Sequence, residues 1–355
     1  MKKIFGKTNV SVLAGSALVA LVTLAAFTGC SKKESTAQAG GTSSSGSSGN
    51  DGFITIKSAF ATGMTGSVNN FAIETGLYEK EGIRFDNIQR TNDMLALISR
   101  GEVDVADGDP STYIPAIYNG IEAKLVGNMW RYSGCFWIIA HNDIQKPEDL
   151  RGKTIGTAVS AGGMKLTVLK YLENYGISTD DVKLVANSSY QPAYATFTSG
   201  EVDATVIHNP YAALSEAEGT GHPLARAWDI IPEYYTGTII ASNKFIKQHP
   251  DQLQRFITAY YKVHEEVKHN HFDEFVAWAA KNMNTDEEVM RKAILSEIDV
   301  WLDYPVIPEE RLYRTIGFQK EYGWVGDEIK VEGTFDNTFA KKAAEELGLK
   351  DPYAK

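Results

Sequence analysis

The chain has 355 residues, 43% of them hydrophobic, and a formal charge of −10. That is enough apolar material for two α/β domains of ordinary size. The acidic balance gives no support for a nucleic-acid partner, whose binding would want a basic face.

Residues 1–29 place Lys2, Lys3 and Lys7 before an apolar run and end in small residues, the pattern of a secretory leader. A retained membrane helix is the alternative for the run Val10–Phe27, which approaches spanning length. Phe27-Thr28-Gly29-Cys30 resembles a bacterial lipobox, which implies that Cys30 is the first mature residue and carries lipid. Loss of a leader with three lysines and no acidic residue takes the formal charge from −10 to −13. Residues 31–51 have no aromatic and no branched aliphatic side chain, so they read as a flexible tether. With Cys30 lipidated, Cys135 has no partner for a disulfide; it is either a small buried hydrophobe or a ligand-contacting thiol.

From residue 52 onward strands and helices alternate. Strands are expected at 53–58, 83–85 and 103–105, with helices at 67–79, 92–99 and 112–119 and a further strand after 123–127. A longer strand at 133–140 opens a second round, with strands at 154–157, 182–185 and 202–207. Its helices are expected at 163–175, 191–198 and 211–218. A return strand at 237–242 leads into a helical tail that includes 249–268 and 273–282. This rhythm predicts parallel sheets covered on both faces.

The words GEVD occur twice, at Gly101–Asp104 and Gly200–Asp203. In each, the glycine closes a helix where a left-handed residue is favoured, and Glu-Val-Asp leads into a buried strand. The loops after those strands are Asp107–Ser111 and His208–Tyr211. Open parallel sheets present ligands beyond their strand C-termini, so two such halves predict one cleft between them.

The segments ETGLYEKEGI (74–83), GEVDVADGDPS (101–111), LRGKTIGT (150–157), LKYLENYGISTDDVKLV (169–185), GEVDATVIHNPY (200–211) and SNKFIKQHPD (242–251) resemble, in order and spacing, substrate-binding lipoproteins of ABC importers. The group is that of nitrate, sulfonate and taurine, which also includes binders of thiamine-pyrimidine precursors. The resemblance implies an α/β, bilobal periplasmic-binding type II fold. Lobe 1 would be 52–136 plus 238–355 and lobe 2 would be 137–237, with hinges at Cys135–Ala140 and Gly237–Ala241. It also implies ligand capture by lobe closure, an ABC permease with a separate ATPase as partners, and a monomer anchored outside the cytoplasm.

Candidate ligand contacts come from both halves. Thr62, Gly63, Met64 and Thr65 lie in a glycine-containing strand-to-helix loop whose N–H groups and hydroxyls suit a small anion, with Met64 equally able to pack in the core. Ser160, Gly162 and Gly163 offer the same chemistry before the helix at 163, with Lys165 beside them. Asp109 and Ser111 cap the helix after the second strand, and Asp109 would bind an amine or cap backbone N–H groups. Trp130, Tyr190, Tyr211 and Tyr235 suit a flat or apolar ligand body. Arg131 would grip a sulfonate or carboxylate, or else form a surface ion pair. His208 and Asn209 end the second GEVD strand, where His208 is either a ligand donor or a satisfied core imidazole.

No nucleophile triad, paired-carboxylate spacing or HExxH motif stands out, so neither a cofactor nor a metal is expected. The function this predicts is capture of a sulfonate-like organic anion. An aromatic or pyrimidine-like nutrient, an amine or zwitterion, and an enzyme on the same fold are the alternatives.

Overall fold

The computed structural model describes residues 52–91, 93–129, 133–302 and 304–352. Among these, two five-stranded sheets form. The first contains β1 (Ile54–Phe60), β2 (Ile83–Arg90), β3 (Val105–Gly108), β4 (Ala123–Asn128) and, from much later in the chain, β10 (Thr238–Ser242). The second contains β5 (Trp137–Ala140), β6 (Thr154–Gly156), β7 (Lys183–Val185), β8 (Ala204–Ile207) and β9 (His222–Arg226). Their orders are β2-β1-β3-β10-β4 and β7-β6-β8-β5-β9. In each, four strands run in one direction and the fourth position is filled by a strand antiparallel to both neighbours. The chain is thus a bilobal α/β fold with two mixed sheets of one topology.

The repeated words have one physical role. Gly101 and Gly200 adopt φ of 68° and 77°, the left-handed region in which a side chain would be strained. Behind them Glu102 N donates to Leu97 O and Glu201 N to Thr196 O, each at 3.0 Å, closing the last helical turn. Val103 and Val202 are buried. Asp104 then exchanges bonds with Lys57, its N donating to Lys57 O at 2.8 Å and its Oδ2 accepting from Lys57 N at 3.0 Å. Asp203 does the same with Thr154, at 2.8 and 2.7 Å. The aspartate aligns its own strand with the parallel neighbour, once in each lobe.

Helices cover both faces of each sheet. Those used below are α1 (Ser67–Glu74), α2 (Pro110–Tyr118), α3 (Gly163–Asn174), α4 (Gln191–Thr198), α5 (Tyr211–Ala217), α6 (Pro250–Asn270), α7 (Phe272–Asn282), α8 (Glu287–Leu295), α9 (Glu309–Glu321) and α10 (Thr338–Glu346). The longest, α6, starts with proline in its first turn, where no amide is missed. Leu253, Phe256, Ile257, Tyr260, Tyr261, His264 and Val267 recur on one face and are buried. All but His264 belong to a core that also takes Ile56 and Val105 from the first sheet, and α10 and α7 add to it. The opposite face of that sheet is packed by Leu97, Ile114, Leu312 and Ile316.

The helix expected over 67–79 is interrupted. Gly76 takes φ of 74°, so α1 ends and a separate turn forms at Leu77–Lys80. Strand β2 extends to Arg90, past the expected Phe85, because it pairs along β1 as far as Phe60. Strand β9, His-Pro-Leu-Ala-Arg, has no β-branched residue and is held by pairing with β5. Among the described residues no helix is long and apolar enough to cross a membrane. The leader, Cys30 and the tether lie outside the described residues.

Candidate functional site

A cavity of about 340 Å³ opens beyond the C-terminal ends of both sheets. Ala61 after β1, Gly108–Tyr113 after β3 and Thr236 before β10 supply one wall. Ala161–Met164 after β6, Tyr190 before α4 and His208 after β8 supply the other. The positions are those a doubly wound sheet assigns to a ligand, and the volume is in the range of small-molecule sites.

Of the sequence-predicted residues, Thr65, Asp109, Ser111, Gly162, Gly163, Tyr190 and His208 line this cavity. Asp109 is the N-cap of α2, its Oδ1 accepting from Ser111 N at 2.8 Å. Gly162 precedes α3 with φ of 95°, and no side chain caps that helix start. Tyr190 stacks on the His208 imidazole, with centroids 4.9 Å apart and planes 11° from parallel. Phe136 meets the same imidazole edge-on at 5.0 Å. Across the gap, the Tyr190 hydroxyl lies 3.3 Å from Thr65 Oγ1, so one pair of side chains already joins the two lobes. Gly63 lies against the Tyr190 ring: a Cβ there would stand 3.2 Å from Cε1, so the ring would have to give by a few tenths of an ångström.

Other candidates sit elsewhere. Met64 is in the core of the first lobe, packed where a thioether fills an apolar gap. Thr62 and Ser160 are exposed and outside the cavity wall, and the Ser160 carbonyl accepts from Lys165 Nζ at 3.0 Å. Lys165 also reaches over the Trp324 ring, away from the cavity. Asn209 turns to α8, its Nδ2 donating to Glu297 Oε1 at 2.8 Å and to Ala293 O at 3.0 Å. Tyr211 packs on Tyr194 at 5.2 Å. Tyr235 is fully buried, its hydroxyl donating to Asn128 Oδ1 at 2.7 Å. Trp130 and Arg131 lie outside the described residues.

The cavity also has a lining that the sequence reading did not select, namely Met94, Met129, Met164, Phe136 and Thr236. Single side chains scattered over five segments, four of them apolar, leave no local signal; only their position near strand ends could have marked them. Beside the cavity Tyr234 is buried, which pushes its phenol well above the usual tyrosine value, and the Asp109 carboxylate adds to the rise. Tyr113 is displaced in the same direction by burial and then by Asp107 and Asp109. Both are therefore neutral hydroxyls at physiological pH. Among the described residues no group of three or more His, Cys, Asp or Glu is placed to hold a metal ion.

A model of the family described as NMT1/THI5 like matches residues 69–270, over half of the chain. The chain belongs to the NMT1/THI5-like family. Among curated proteins, this member is 26% identical over 231 residues to the putative binding protein YtlA of Bacillus subtilis, covering 62% of this chain and 68% of that one. It is 26% identical over 281 residues to a putative aliphatic sulfonates-binding protein of the same organism, covering 76% and 81%. Among solved structures it resembles a putative periplasmic sulfonate-binding protein of Methylobacillus flagellatus, with a TM-score of 0.68, 20% identity and coverage of 86% and 98%. The desulfurization enzyme DSZB also shares the NMT1/THI5-like member's fold, with a TM-score of 0.63, 17% identity and coverage of 82% and 99%.

Proposed function

We propose that this protein is the extracytoplasmic solute-binding component of an ABC import system and captures a small organic anion of the sulfonate class. The observation that carries the reading is the cavity shared by two lobes of one topology, lined from both sides by helix starts and hydroxyls. A helix start carries roughly half a positive charge together with unsatisfied N–H donors, which suits an anion; the start of α3 at Gly162 has no capping side chain, whereas that of α2 is capped by Asp109. The sulfonate-binding relatives support the same class. On this reading residues 52–136 and 238–355 form one lobe and 137–237 the other. The chain crosses between them at 135–140 and 237–241, Cys30 anchors the molecule by lipid, and a monomer delivers ligand to a permease driven by a separate ATPase.

The flat stack of Tyr190 on His208, with Phe136 at its edge, favours a second reading in which an aromatic or pyrimidine-like nutrient is held chiefly by rings. Native mass spectrometry of the chain from residue 51 onward, followed by calorimetry, separates the two. A co-purifying sulfonate or carboxylate at one-to-one stoichiometry supports the first, and a neutral heteroaromatic compound supports the second. At a free concentration 100 times its dissociation constant the ligand stabilises the fold by about 2.7 kcal/mol, seen as a raised melting temperature. Chemical conversion of the bound compound would overturn both in favour of an enzyme, a use to which DSZB puts the same fold.

A further inference from the structure

Among the described residues four non-glycine residues have positive φ, and three of them belong to the two loops that supply the second wall of the cavity: Ala158 at 59°, Ser188 at 72° and Tyr190 at 58°. Tyr190 combines that φ with ψ of −135°, a pairing that is free of strain only for glycine. Such geometry persists only where the surroundings over-determine it. Asn187 fixes one end of the strained segment: its Oδ1 accepts from Ala158 N at 3.1 Å, and its Nδ2 donates to Thr196 Oγ1 at 2.8 Å and to Thr205 Oγ1 at 3.1 Å. At the other end Tyr190 O accepts from Tyr194 N at 3.1 Å and so opens α4. The strain is thus confined to Ser188–Tyr190, between two anchored points. Opposing it are contacts that the Tyr190 side chain makes only in this position, the stack on His208 and the hydroxyl 3.3 Å from Thr65 Oγ1 across the gap.

The second sheet is pinned to the tail elsewhere. Glu297, 2% exposed, accepts from Trp137 Nε1 and Asn209 Nδ2, and Leu166 and Tyr234 share an apolar cluster with Phe318, Tyr322 and Trp324. Parting the two sheets widely would break these buried contacts, whereas moving three loop residues breaks none of them.

We propose that Tyr190 is a gate on the cavity: latched, its ring forms part of the wall and its hydroxyl bridges to Thr65; released, Ser188–Tyr190 relax to negative φ, the ring leaves His208, and a passage opens while the tail contacts stay made. The purpose of the gate rests on the solute-binding reading, but its motion is a property of the empty protein.

The test is amide relaxation dispersion, which reads microsecond-to-millisecond exchange and the population of the minor state, on the whole protein freed of bound solute by unfolding and refolding. Exchange is expected at Thr65, His208 and residues 187–191. Tyr190→Phe keeps the stack and loses the bridging hydroxyl, so it raises the ratio of open to latched about fivefold. Thr65→Val does the same, and the two together do no more than either alone. Ser188→Gly, at an exposed position, removes strain that only the latched state carries and lowers the ratio at least about twofold. Exchange that spans β5–β9 as a block would mean that Tyr190 is carried by rotation of its whole lobe, and the gate is overturned. It is overturned equally if no exchange is seen in the wild type and Tyr190→Phe, or if Ser188→Gly and Tyr190→Phe shift the ratio the same way. Because no solute is used, loss of the gate leaves the solute-binding reading standing, and a failure to find a bound solute leaves the measured motion standing.

Discussion

Glu297 shows how much one side chain can hold that a sequence does not announce. It is 2% exposed, and its Oε1 accepts from Trp137 Nε1 at 3.0 Å and from Asn209 Nδ2 at 2.8 Å. Both donors leave the second sheet, so a carboxylate just after α8 fixes the tail to that lobe. Glu297→Ala strands a buried indole N–H and should cost about 2–3 kcal/mol in chemical denaturation, while Glu297→Gln, which still accepts, should cost about 1 kcal/mol. Gly163→Ala tests the cavity wall: its Cβ would stand 2.6 Å from Tyr234 and 2.9 Å from Phe136, both buried rings. We expect a loss of about 1–3 kcal/mol and weaker ligand binding, seen by melting and calorimetry. Tyr78, Tyr113 and Tyr234 give a pH prediction. Burial raises each phenol well above its unfolded value of about 10. The stability they confer is whole below pH 10 and is lost as pH rises beyond it toward the folded values. Their phenolate absorbance should therefore appear only together with unfolding. At this scale the sequence was partly legible. Gly162 and Asp109 sit at helix starts that capping rules locate, whereas Asn209 and Tyr235 are polar residues satisfied by distant partners that no local rule reveals.

Among the elements, α9 is the instructive case, because it packs on α2 of the first lobe and reaches α3 of the second. Leu166 on α3 and Tyr234 form one apolar cluster with Phe318, Tyr322 and Trp324 from α9 and the turn after it. Lys170 lies over the same rings and donates to Glu173 and Glu321, each at 2.9 Å. Burial would lower the Lys170 pKa, but those carboxylates outweigh it and hold the ammonium charged. The apolar part dominates: Leu166→Ala should cost about 2–5 kcal/mol. Lys170→Met keeps the stem on the rings and should cost less than about 1 kcal/mol, since both glutamates are largely exposed. Denaturant titration of the two variants makes the comparison. Elements with strong periodicity, such as α6, were legible within two residues at each end. The helix across Gly76 and the strand β9 were not, because a single left-handed residue breaks the first and a partner strand creates the second.

For the whole molecule, the placement of β10 decides more than the ligand site. It stands inside the first sheet, between β3 and β4, although about a hundred residues separate it from β4 in the chain. The two cores of the first lobe likewise draw on Phe245, Phe256, Phe275, Met290, Leu312 and Ala343. The cores on the two faces of the second sheet use only residues between Phe136 and Ile230, and its end residues Trp137 and Arg226 are paired in register. As a chain emerges from its N-terminus, then, the lobe that begins first must finish last. The second lobe can close on itself while β1–β4 still lack the strand between β3 and β4, and the sheet that begins first is completed only when the last third of the chain arrives.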